Sequence, residues 1–110
     1  MKSMLGHEYH LSDPSFPEVA LCGDVDVYRR WDLRNVLDQL KGERIAVVDV
    51  TGVAYFDLTL INGLIYLKNE MAKQSGTSTV RLKGASRNLR RIIEICELTP
   101  AFEFSDSCSA

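Results

Sequence analysis

Three aspartates and a threonine carry most of the chemistry this sequence offers. Asp24 and Asp26 follow Gly23 in one short segment, and Asp57 heads the longest helical pattern, with Thr59 just behind it. Carboxylates so placed can cap helices, meet a protein partner or ligate a hard cation. Calcium takes about six to eight oxygen ligands. Two carboxylates in one loop without a third ligand fall short of that, so capping and solvent exposure are the roles expected of Asp24 and Asp26. Asp57 reads as a helix N-cap, worth about 1 kcal/mol, a role that leaves it able to touch a partner.

The remaining reactive side chains are scattered. His7 and His10 sit on an alternating segment, and no Ser-His-Asp or Cys-His set with an orienting third group emerges. Gly6, Gly42 and Gly84 are isolated, so there is no glycine-rich phosphate loop. Cys22, Cys96 and Cys108 form no CxxC pair, which argues against a zinc or redox motif. Cys22 ends an apolar run and Cys96 falls on an apolar helical stripe, so both are expected in the core as small hydrophobes. Cys108 lies in a Ser-rich tail. Free thiols suit a reducing cytosol. The expectation is a cytoplasmic protein that is not an enzyme and uses neither cofactor nor metal.

Arg81, Lys83, Arg87, Arg90 and Arg91 cluster in sequence. A solvated helix face explains such a run, and contact with an anion or an acidic partner is the alternative. Nucleic acid would call for interleaved exposed aromatics or a recognition helix, and neither is legible. The 110 residues, 45% of them apolar and 25% charged, with a formal net charge of −2, fit a single domain over residues 1–110. Its core is expected over about residues 7–104, followed by a short polar tail. No signal peptide is visible, and the longest apolar run, Ile45 to Val48, is far too short to span a membrane. Without an obvious unpaired apolar face, a monomer is expected.

The elements that must position these residues follow from periodicity. His7–Leu11 and Glu18–Cys22 predict two strands around the turn formers Asp13, Pro14, Ser15 and Pro17. Leu33, Val36, Leu37 and Leu40 share one helical face, which Trp31 and Tyr28 are expected to extend, with Asp26 as N-cap and Lys41-Gly42 as the stop. Ile45–Val50 predicts a central parallel strand buried on both faces. Thr51 to Phe56 is then the loop beyond it, and Asp57 opens a helix that ends at Ser75-Gly76. Thr79–Lys83 alternates as a strand, and a third helix beginning at Ala85 or Ser86 buries Leu89, Ile92, Ile93 and Cys96. Thr99-Pro100 halts it, and Ala101–Phe104 adds a last strand. The order ββαβαβαβ implies an α/β fold with a mixed, mostly parallel sheet and right-handed crossovers.

Val47-Val48-Asp49-Val50-Thr51-Gly52-Val53, followed by Tyr55-Phe56-Asp57, resembles the signature of the STAS family, a strand whose loop feeds an Asp at a helix start. Gly23-Asp24-Val25-Asp26 is similar to that family's earlier loop. Ala85-Ser86 with Leu89-Arg90-Arg91 and Ile92-Ile93-Glu94 is similar to its third helix. The resemblance runs from about Glu8 to Phe104 and implies a four- or five-stranded sheet with helices packed mainly on one face. It also implies a regulatory module like the anti-sigma factor antagonists, which bind an anti-sigma factor that is also a serine kinase and are released by phosphorylation.

In such proteins the phosphorylated Ser or Thr directly follows the loop Asp. Here Leu58 stands in that place, and Leu60 and Asn62 occupy positions where the pattern favours glycine. Thr59 is the nearby hydroxyl, and phosphate there would add about −1.5 to −2 charge beside Asp57 and Asp26. The resemblance thus places a partner-binding surface at Asp24, Asp26, Tyr55, Phe56, Asp57, Leu58 and Thr59, with Thr59 the candidate for phosphorylation. Leu58 either extends a hydrophobic contact surface or folds into the core. Two other functions stay open: an accessory bound to the ATPase of a lipid-trafficking ABC transporter, and a small nucleotide or anion binder.

Overall fold

The β-branched run at Ile45–Val50 lies in the middle strand of the sheet, but the strand continues well beyond it. A computed structural model describes residues 9–13, 16–76 and 78–105. The elements are β1 (Tyr9–Asp13), β2 (Phe16–Val25), α1 (Arg30–Leu37), β3 (Ile45–Phe56), α2 (Leu58–Ser75), β4 (Thr79–Lys83), α3 (Arg87–Ile95) and β5 (Phe102–Ser105). Short 3₁₀ turns at Val27–Arg29, Asp38–Leu40 and Thr99–Ala101 join them. The five strands lie in the sheet in chain order; β1 is antiparallel to β2 and every other pairing is parallel. His7 and Cys108 lie outside the described residues.

Alternation along the strands sorts the sheet into two unlike faces. Val19 and Leu21 of β2, Ala46, Val48 and Val50 of β3, Val80 and Leu82 of β4 and Phe102 of β5 belong to one buried apolar cluster. All three helices join that same cluster, through Leu33, Val36 and Leu37 of α1, Leu60, Leu64 and Met71 of α2, and Leu89 and Ile93 of α3. Each of these side chains, fully withdrawn from water, contributes about 1.5–3 kcal/mol. The helices therefore cover one face, as the family resemblance implied.

The opposite face carries Glu18, Asp49, Arg81, Lys83 and Glu103, and no helix among the described residues covers it. Val47 is nonetheless buried there, between Glu18 and Arg81 on the flanking strands. Lys83 on β4 reaches Glu18 on β2 at 3.4 Å, bridging over β3. The basic run of the sequence is thereby split. Arg81 pairs with Glu103 at 3.0 Å and lies over Phe16, while Arg90 stacks on Phe104.

The α1–α2 contact is close enough to select its residue. A Cβ added at Gly63 would come within 2.6 Å of a Leu33 methyl and 3.3 Å of Leu37. Both leucines are buried, so glycine is what lets the two helices meet.

Several expectations are corrected. β3 does not end at Val50: residues Thr51–Phe56, expected as a loop, continue the strand and pair with β2 as far as Val25↔Phe56. Two bulges hid this by breaking the alternation; β2 from Ala20 to Val25 is matched by Asp49 to Phe56, so β3 carries two extra residues there. Tyr28 and Trp31 do not extend the apolar stripe; they are 89% and 65% exposed. The spacing of Leu33, Val36 and Leu37 runs back to Arg29 and Arg30, and the 3₁₀ turn before α1 has its own period of about three residues. Cys22 and Cys96 are exposed as well. Cys22 faces the helix-free side opposite Gly52, which has no side chain to cover it, and Cys96 lies at the C-cap, beyond the last helical turn.

Candidate functional site

The site is assembled where β2 and β3 end side by side. Val25 pairs with Phe56, and the Asp57 N–H donates to the Val25 carbonyl at 3.3 Å. Each chain then turns into a helical segment headed by an aspartate in extended conformation. Asp26 caps the 3₁₀ turn that leads into α1, accepting from the Tyr28 N–H at 3.1 Å and from the Arg29 guanidinium at 3.3 Å. Asp57 caps α2, accepting from the Thr59 N–H at 2.8 Å. Its other oxygen accepts from the Val27 N–H at 3.3 Å, so one carboxylate ties the two helix starts together.

This arrangement sets the acidity of Asp57. The Thr59 side chain and N–H hold its carboxyl below the ordinary 3.8; burial opposes them, and the Val27 N–H adds a lesser lowering. The group is therefore an anion at neutral pH, fixed by its hydrogen bonds. Capping is the role the sequence predicted for both Asp26 and Asp57. Asp24 is exposed on β2 opposite Tyr55.

Around the paired caps lies an apolar rim. Six large apolar side chains are exposed among the described residues. Five of them belong here: Val27, Tyr28 and Trp31 on the α1 side, Tyr55 and Leu58 on the α2 side. Leu58, 61% exposed, is a surface residue and not core. Phe56, half-buried, packs against the core cluster instead. Tyr55, Asp57, Leu58 and Thr59, singled out in the sequence, lie together at the β3–α2 junction, whereas the sequence reading did not include Val27, Tyr28 and Trp31. Their signal was available, since Trp31 lies off the stripe set by Leu33 and Val36.

Thr59 opens into a groove of about 260 Å³ between α1 and α2, which Arg30, Arg34, Asn62 and Gly63 also line. Arg34 stacks on Tyr66 at 3.8 Å and Arg30 stands over Trp31 at 5.2 Å. Two guanidinium groups thus share the groove with the hydroxyl. Among the described residues, no group of three metal-ligating side chains could hold an ion, and no helix is long and apolar enough to cross a membrane.

Comparison of the whole chain places this architecture. SpoIIAA of Bacillus in its phosphorylated form superposes with a TM-score of 0.67 at 12% identity, over 91% of this chain and 91% of that one. The fold is that of SpoIIAA. An anti-sigma factor antagonist from Mycobacterium paratuberculosis superposes with a TM-score of 0.70 at 16% identity, over 89% of this chain and 82% of that one. The SLC26A9 structure contains a similar unit: 83% of this chain matches 18% of that one, with a TM-score of 0.63 at 13% identity. At the level of sequence, no family profile and no curated protein matches the chain. The fold thus occurs both as a whole small protein and as a minor part of a much longer chain.

Proposed function

We propose that the domain is a regulatory binding module of the cytoplasm that acts by docking on a protein partner and not by catalysis. The partner is an anti-sigma factor with serine-kinase character, as for SpoIIAA-like antagonists, and the pathway controls transcription. One observation carries this reading: Val27, Tyr28, Trp31, Tyr55 and Leu58 stand exposed around the capped Asp57. Aromatic side chains so placed bury large areas on docking and dominate interface energies. Leu58 takes the place of the hydroxyl and supplies contact area there. Thr59 is the phosphorylation candidate; its phosphate would displace the hydroxyl bond to Asp57 and face Arg30 and Arg34.

The test is affinity purification of the tagged protein from its own cells, followed by mass spectrometry, with Leu58→Glu and Trp31→Ala as paired variants. A histidine-kinase-like anti-sigma factor that copurifies with wild type and is lost from both variants is the expected result. Unchanged capture by both variants, with their fold intact by circular dichroism, removes this surface from the proposal. Recovery of an ABC ATPase in its place supports the transport-accessory reading, which the absence of a hydroxyl at Leu58 favours because that role needs no kinase.

A further inference from the structure

β3 is longer than the strand beside it. β4 pairs with it only as far as Asp49↔Lys83, after which the chain turns away at Gly84, whose φ of 73° is left-handed. From Val50 to Phe56, β3 is paired on its β2 side, while no described strand continues the ladder on the β4 side. That stretch, roughly 20 Å at the usual rise per residue, presents backbone donors and acceptors, apart from the Thr51 N–H held by Asp49, of the kind that sheet edges use to recruit an extended chain.

The space beside this edge is open and shaped. A cavity of about 700 Å³ lies between the overhang of β3 and the first turns of α3. Val50, Val53, Tyr55 and Phe56 line it from β3, Leu89 and Ile92 from α3, and Ser86, Arg87 and Asn88 form its polar mouth at the helix start. In α3 the Ser86 oxygens engage the Leu89 and Arg90 N–H groups. The N–H groups of Arg87 and Asn88 belong to the first turn, where helix geometry provides no acceptor. The exposed Arg87 guanidinium adds a full positive charge at the same mouth, and among the described residues no carboxylate lines the cavity.

We propose that this cavity receives an extended peptide, which adds a strand to the bare edge of β3 and places an acidic side chain or its terminal carboxylate against Arg87. The backbone edge selects an extended chain, the apolar walls take alternate side chains, and the mouth selects a negative charge. The site lies on the α3 side of β3, apart from the α1–α2 groove; it shares Tyr55 with the docking face but does not rest on the function proposed above.

The experiment is selection from a displayed library of short random peptides with free carboxyl termini, followed by binding and hydrogen-exchange measurements. Ala54→Pro blocks the edge at the extra residue of the second bulge, outside the β2 ladder, and Arg87→Glu reverses the charge on an exposed helical position. Selected peptides should carry alternating β-branched residues and a carboxylate, and should slow exchange of amides within residues 51–56. Arg87→Glu should weaken them by about tenfold or more, the worth of one charge-assisted bond, and Ala54→Pro should abolish binding. Leu58→Glu should leave them unaffected. The proposal is overturned if no peptide is enriched over the Ala54→Pro control. It is equally overturned if enriched peptides bind wild type and Arg87→Glu alike, or protect the α1–α2 groove and not β3.

Discussion

The Asp57 carboxylate holds the Thr59 N–H at 2.8 Å and the Val27 N–H at 3.3 Å, so its ionisation is coupled to two helix starts. Its pKa in the folded protein is lowered, first by Thr59 and then by Val27. A carboxyl depressed in this way contributes stability that is fully present above its unfolded value of 3.8 and lost as pH falls through the folded value. Asp57→Ala should lower stability at neutral pH by about 1 kcal/mol, as loss of an N-cap does. The difference from wild type should shrink as pH drops below the unfolded value. Urea unfolding of both proteins across the acid range checks this, and a difference that stays constant with pH would mean that the carboxylate is not what the bonds hold. That Asp57 caps a helix was legible from one residue type at the head of a periodic segment. Its bond to Val27 was not, because it depends on β2 and β3 ending together.

Among the elements, legibility followed regularity. β4 was read to the residue because Val80 and Leu82 alternate cleanly with Arg81 and Lys83. The end of β3 was missed because its bulges, with Asp49 accepting from the Thr51 N–H at 2.9 Å, place Gly52 and Ala54 where alternation would put side chains of one face. α2 was read from its stripe, but the stripe gave no hint that Gly63 is a contact point. Gly63→Ala tests that role. The added methyl must displace the buried Leu33, and overpacking of this kind costs about 1–3 kcal/mol, even though alanine is the better helix former. Thermal or urea unfolding should show a net loss of stability. A gain would mean that α1 moves away without penalty and that the close approach is incidental.

At the scale of the molecule, the sheet solves an unusual problem. Parallel sheets are ordinarily covered on both faces, yet here the helices occupy one and charged side chains screen the other. Glu18 is nearly inaccessible, with only 3% of its surface exposed, and Lys83 is one of its partners at 3.4 Å. Removing one member of such a pair strands the other, whereas replacing both need not be costly. Lys83→Met should therefore destabilise the protein more than the double replacement Glu18→Gln with Lys83→Met, and a double-mutant cycle measures the difference. Additive effects would mean that the bridge contributes nothing.

The strands also stand in the sheet in the order in which the chain makes them. Every strand after the first thus finds its neighbour already present when it appears, and no place in the sheet has to be held open for a later segment. A nascent chain ending at Gly76 would already contain β1 to β3 with α1 and α2 and the paired caps of Asp26 and Asp57. The paired caps are therefore encoded before β4 and β5 are synthesised, and the last third of the chain adds one edge of the sheet and, with α3, the rest of the core.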